Sequence, residues 1–225
     1  MATALLGFVM VSGICFLHTP LGQSLPWGRR ILSLMGVVCP VTQVSPKVVS
    51  ELRAIGVSAL QGQILAPTRP SFQLPLDLAN ESDVSQKMLR RGAHCRKEQM
   101  GFHFLICKAV AASALGLDEN SHFNEIAFAF GESGKLFDIN LYRSHLSISD
   151  GARFLRARLK TLEPELGAPS RMVGADSTDA LAAPMATTMF EYRFKNYYAK
   201  ITATHMPTGI TLYEHYTSLS PAFKN

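Results

Sequence analysis

The sequence predicts an α+β fold. It would be an antiparallel sheet of about five to six strands, packed on one face by a helix at 149–166 and preceded by an apolar leader. Three observations carry this expectation. Two alternating runs flank a glycine-bounded turn at Gly131–Gly134. Leu155, Leu159, Leu162 and Leu166 recur at helical spacing. Three runs rich in Thr, Tyr and Ile stand near the end of the chain.

The elements can be justified in order. The first 28 residues carry no charged side chain. Ala4–Leu17 is an apolar run of 14 residues. A bilayer-spanning helix needs about 20, whereas a secretory hydrophobic region is often this short. Arg29 and Arg30 then precede a second apolar run, Ile31–Val41. Charge followed by an apolar run is the order of a signal peptide. Residues 1–43 are therefore expected to be a signal peptide or membrane anchor, and the protein exported, periplasmic or membrane-anchored. A buried core segment is the rival account of the same runs. Cys15 follows Ile and Cys39 follows Val, so neither offers a lipoprotein box.

Residues 44–79 read as a short helix and a Pro-rich linker. Ser45-Pro46 starts the helix and Gly56 is expected to stop it. Pro67, Pro70 and Pro75 then favour an extended path. The α+β domain is expected over 80–225. Asn80 caps a helix that ends at Gly92. Gly101–Cys107 is rich in strand formers, and the alanine-rich run behind it is ambiguous between strand and helix. In the hairpin, Asn124, Ile126, Phe128 and Phe130 share one face, and Phe137, Ile139 and Leu141 point inward from the second strand. Ser147 to Asp150 opens the long helix with a capping-box pattern. Arg153, Arg156 and Lys160 form a neighbouring basic face, most simply a solvated one. Ser170–Ala186 reads as a mobile loop. The final strands are expected at 188–195, 198–205 and 209–217.

The net charge of +5 is concentrated rather than spread. Lys87, Arg90, Arg91, Arg96, Lys97 and Lys108 stand against one acid, Glu98, so this segment alone accounts for it. A globally basic, specific nucleic-acid binder is excluded on that distribution. The 92–100 connection is expected to be an exposed loop presenting Arg90, Arg91, Arg96 and Lys97. An acidic protein, an acidic polymer or an anionic lipid surface is the partner it suggests.

With the leader set apart, Cys95 and Cys107 form an even pair. In an oxidising compartment they are expected to be a disulfide. His94 and His103 add the ligand types of a zinc site, but at a spacing matching no standard finger. No metal or cofactor is expected. No P-loop, dinucleotide glycine motif, nucleophile elbow or zincin motif occurs. The best catalytic candidates are Glu191, Glu214 and His205 on the terminal strands, as a general acid/base set. Two functions are compatible with these residues. One is an exported, envelope-type binding or assembly module without catalysis, and the other is a small envelope hydrolase built on those Glu and His groups. A concave pocket holding Glu191 or Glu214 with a His would mark the enzyme. An exposed strip of Tyr197, Tyr213 and Tyr216 would mark the binding module.

Overall fold

The computed structural model describes residues 46–100, 102–117 and 121–220. The apolar runs at 4–17 and 31–41, and with them the expected leader, lie outside the described residues. The chain divides into two units at Val44/Ser45, and all the described residues belong to the second.

Helix α1 spans Pro46–Leu60. It runs through Gly56, the expected stop, because nothing there requires a left-handed turn. Helix α2 spans Glu81–Arg90 and begins on a reciprocal cap. The Asn80 side chain accepts from Asp83 N, and the Asp83 carboxylate accepts from Asn80 N. Its Val84 and Met88 are fully buried. Eight strands come next: β1 His94–Met100, β2 Phe102–Ala111, β3 His122–Phe130, β4 Leu136–Leu146, β5 Arg171–Val173, β6 Thr187–Arg193, β7 Tyr197–Met206 and β8 Gly209–Ser218. Helix α3, Ile148–Leu166, stands between β4 and β5. The strands form one antiparallel sheet in the order β1-β2-β3-β4-β8-β7-β6-β5.

The α+β class holds, with eight strands rather than five to six. Both unexpected strands are the sheet's edges, β1 and β5. The 92–100 connection is therefore not a loop. Its basic side chains are exposed as expected, but its backbone pairs with β2 from His94↔Lys108 to Met100↔Phe102. The 170–186 segment is also more structured than a loop. It holds β5 and a short 3₁₀ turn at Asp179–Leu181, whose Leu181 is buried.

One face of the sheet carries the core. Phe128, Ile139, Leu141, Ile201, Leu212 and Tyr216 belong to it, together with Leu155, Leu162 and Leu166 of α3. Gly151 sets the approach of α3 to β8, since a Cβ there would lie 2.7 Å from the Ile210 side chain. Asn124 departs from the expected hairpin face. It is exposed, and its Oδ1 accepts from Ser144 N at 2.7 Å. Its neighbour Phe123 enters the core in its place, opposite Val110. Ala109, the residue before Val110, has a left-handed φ of 51°. That local turn breaks simple alternation, because Lys108 and Ala109 are both exposed before Val110 re-enters.

The Pro-rich stretch is part of the domain rather than a free linker. Leu74, Leu76 and Ala79 are buried. Tyr197 donates its hydroxyl to Pro70 O at 2.7 Å, and Asp77 N donates to Leu136 O at 2.7 Å. Phe72 meets the Tyr216 ring edge-on at 5.0 Å between centroids. The path is not the extended one the prolines predict: it turns at residues 72–73 and 76–78, with left-handed φ at Phe72, Gln73 and Asp77, and its buried apolar residues supply the anchors.

Candidate functional site

Glu191, Glu214 and His205 sit on neighbouring strands but do not converge. In the register, Glu191 faces Lys200 and Lys200 faces His215, while Glu214 faces Ile201. Adjacent residues on a strand point to opposite faces. Glu191 and His215 therefore share the outer face, and Glu214 lies on the core face. His205 is on the core-face register but at the far end of β7, opposite Ile210. It stands four residues from Ile201, or about 13 Å along the strand. Its Nδ1 lies 3.2 Å from Ala183 O.

Glu214 is held in a buried polar group. Arg158 of α3 donates Nε–H to its Oε2 at 2.6 Å, and Tyr216 donates its hydroxyl to the same oxygen at 2.6 Å. The Arg158 guanidinium also lies 5.0 Å from the centre of the Phe72 ring. Burial, with the Glu214 carboxylate close by, pushes the Tyr216 phenol well above its ordinary pKa. Both bonds end on one carboxylate oxygen and hold Glu214 with Arg158 as a buried ion pair. Arg158 occupies a core position of the stripe 155–158–162. The leucine stripe read from the sequence runs through Leu159 at this turn, so the apolar pattern does not single out Arg158.

A cavity of about 520 Å³ opens beside it. Phe72, Leu74, Leu115, Leu117 and Tyr216 give it an apolar wall, with Arg69, Arg158 and Glu165 at polar positions. Neither Glu191 nor Glu214 lines it, and no histidine does. Arg69 is drawn to Asp77 at 2.5 Å, and Ser218 donates to the same carboxylate oxygen at 2.6 Å. The cavity thus meets the criterion of concavity but not that of a Glu/His pair.

The outer face holds a second polar network that the sequence pattern did not single out. His215 Nε2 lies 2.5 Å from Asp138 Oδ2. Asn140 donates to Asp138 and accepts from the Tyr213 hydroxyl. Burial, with Asp138 nearby, raises the Tyr213 phenol to about 12. The next hydroxyl along this face of β8, Thr217, donates to Phe137 O at 3.1 Å. It is thus engaged with backbone rather than with His215. Glu191 is closed by Tyr198 at 3.0 Å and by both Nε and Nη2 of Arg193. The expected tyrosine strip does not form. Tyr197 and Tyr216 are fully buried in the core, and Tyr213 is part-buried on the opposite face.

Cys95 and Cys107 are joined as a disulfide, directly opposite one another on β1 and β2. Among the described residues no cluster of His, Cys, Asp and Glu could hold a metal ion. The four basic residues expected at an anionic partner are exposed, but each has a local contact. Arg90 donates to the Gln86 side chain and Arg91 to Ala114 O. Arg96 pairs with Glu98 at 2.7 Å and Lys97 with Glu81 at 2.6 Å. Among the described residues no helix is long and apolar enough to cross a membrane. No family model, no curated protein and no solved structure matches this chain.

Proposed function

We propose that this chain is an exported binding or assembly module without catalytic activity, taking an acidic partner. The observation that supports the absence of catalysis is the closure of both candidate carboxylates. Glu214 is consumed by Arg158 and Tyr216, Glu191 by Tyr198 and Arg193, and the two lie on opposite sides of the sheet. A general acid/base pair needs two groups within reach of one substrate atom. The Cys95–Cys107 bond supports an oxidising compartment, because such bonds persist there and are rare in reducing ones.

The test has two arms. The full chain is expressed with a C-terminal tag and fractionated, its thiols are blocked and its mature N-terminus is sequenced. The expected result is an oxidised Cys95–Cys107 pair in the exported fraction. Purified protein is then assayed against chromogenic esters, phosphoesters, glycosides and peptides, beside Glu191→Gln and Glu214→Gln. Turnover that disappears in either folded variant would establish the hydrolase instead. A cytosolic protein with reduced thiols would overturn export.

A further inference from the structure

We infer that β1 is a docking edge for an extended acidic segment of a partner protein, which would join the sheet as a further strand. This rests on the binding-module reading and names the class and geometry of its partner.

The outward direction of alternate backbone groups on β1 follows from its pairing. Cys95 and Cys107 face each other with Cα atoms 4.0 Å apart. In an antiparallel ladder the narrow pairs do not exchange hydrogen bonds, and the wide ones do. The two kinds alternate. Arg96↔Ile106 and Glu98↔Phe104 are thus the bonded pairs. Cys95, Lys97 and Gln99 turn their N–H and C=O groups away from β2, toward the open side. Among the described residues no loop or turn backbone bonds to these groups. His94, Arg96, Lys97 and Gln99 are all exposed. Such an edge is a template for strand addition.

The disulfide makes the template rigid. It ties the edge strand to β2 at Cys107, which is 0% exposed. A strand that need not be ordered on binding loses less entropy when a partner arrives. The opposite edge offers no equivalent, since β5 has only three residues and is followed at once by Gly174.

Charge selects the occupant. Arg96 and Lys97 are 61% and 72% exposed, Lys108 is exposed opposite His94, and Arg90 and Arg91 stand where the chain enters the strand. Six cations face one acid from Lys87 to Lys108, and Glu81 adds a second acid that reaches Lys97. Charged side chains on an edge discourage indiscriminate pairing. Two copies of this edge paired antiparallel about Lys97 would set that lysine against itself, which is unfavourable across strands, while each Arg96 would face a Glu98. An acidic strand meets the opposite balance.

The experiment uses the full oxidised chain and two eight-residue probes, alternating glutamate–valine and lysine–valine peptides. Affinity is measured at low and high salt, and amide exchange is read residue by residue. The acidic peptide is expected to bind, to weaken with salt and to slow exchange at Cys95, Lys97 and Gln99. The amides of Arg96 and Glu98, already bonded to β2, change little. Lys97→Pro removes one outward N–H without touching the β1–β2 ladder. It should keep the melting temperature and weaken the peptide about tenfold. Arg96→Glu with Lys97→Glu should exchange the preference for the two peptides. Acidic-peptide binding that leaves the three outward amides unprotected overturns the strand-addition geometry, as does undiminished binding by a folded Lys97→Pro protein. Equal affinity for both peptides overturns the acidic partner. Neither result bears on export or on the absence of turnover, which the thiol and hydrolysis measurements decide.

Discussion

Arg158 Nε and Glu214 Oε2 meet 2.6 Å apart between α3 and β8, with side chains 7% and 2% exposed. Removing either partner leaves the other charge desolvated. Arg158→Met or Glu214→Leu alone should each cost about 3–5 kcal/mol of stability. The double variant, which buries no charge, should recover most of that loss. Urea unfolding of the four proteins measures it. A double variant no more stable than the singles would show that the pair is not the origin of the cost.

Gly151 and Gly56 should respond oppositely to alanine. At Gly151 the new methyl would lie 2.7 Å from Ile210 Cγ2, so α3 or β8 must move. The expected outcome is a net loss of about 1–2 kcal/mol after the helical preference of alanine is counted. Gly56 has open space around it inside α1. Gly56→Ala should be neutral or raise helix content slightly. Paired thermal melts by circular dichroism compare the two, and Ile210→Val should relieve part of the Gly151→Ala defect.

Alkaline pH should unfold the domain cooperatively. Burial raises the phenols of Tyr192 and Tyr213 to about 12, each with a nearby acid, Glu163 or Asp138. Burial likewise raises Tyr197, Tyr198 and Tyr216. An unfolded tyrosine ionises near its ordinary value of 10.0. The folded state therefore holds protons that the unfolded state releases. Stability from these groups is complete below pH 10 and falls as pH rises from 10 through the raised values. Phenolate absorbance from these five tyrosines should appear together with loss of the β-sheet signal. Ionisation of all five in a chain that keeps its sheet would contradict their burial.

Reducing the Cys95–Cys107 bond, or replacing both cysteines by serine, should cost about 3 kcal/mol in the chain-entropy account of a loop this size. The loss should be read first at the β1 edge, where the bond joins the outermost strand to β2, its neighbour in the sheet. Amides of Arg96 and Glu98 should exchange faster, while those of β7 and β8 keep their protection until global unfolding. Uniform acceleration across all strands would show that β1 is not a separately opening unit.

What the sequence makes legible here is apolar order. Helix α3 and the β3–β4 hairpin bury a periodic face, and both stand within a few residues of where the pattern puts them. The edge strands were hidden for the opposite reason. His94–Met100 gains its structure from backbone pairing and a disulfide, while its exposed side chains follow no apolar alternation. The same limit applies to the polar groups. Alternation separates Glu214 from His215, but nothing local announces that Arg158 reaches Glu214 across 56 positions or that Asp138 reaches His215 across 77. Those partners are chosen by strand order, which depends on β8 inserting beside β4.

That insertion has a consequence for assembly in time. Among the described strands, every neighbouring pair in the sheet is consecutive in the chain except β4 and β8. The sheet is thus two local meanders, β1–β4 and β5–β8, welded along one seam. Each meander can form from nearby residues, whereas the seam must close the long loop between them, which is the slow kind of contact. During synthesis the first meander emerges with β4 as a bare edge, presenting Ile139 and Leu141 until β8 is made. The nascent chain therefore passes through a sticky half-sheet that its own last strand must cover.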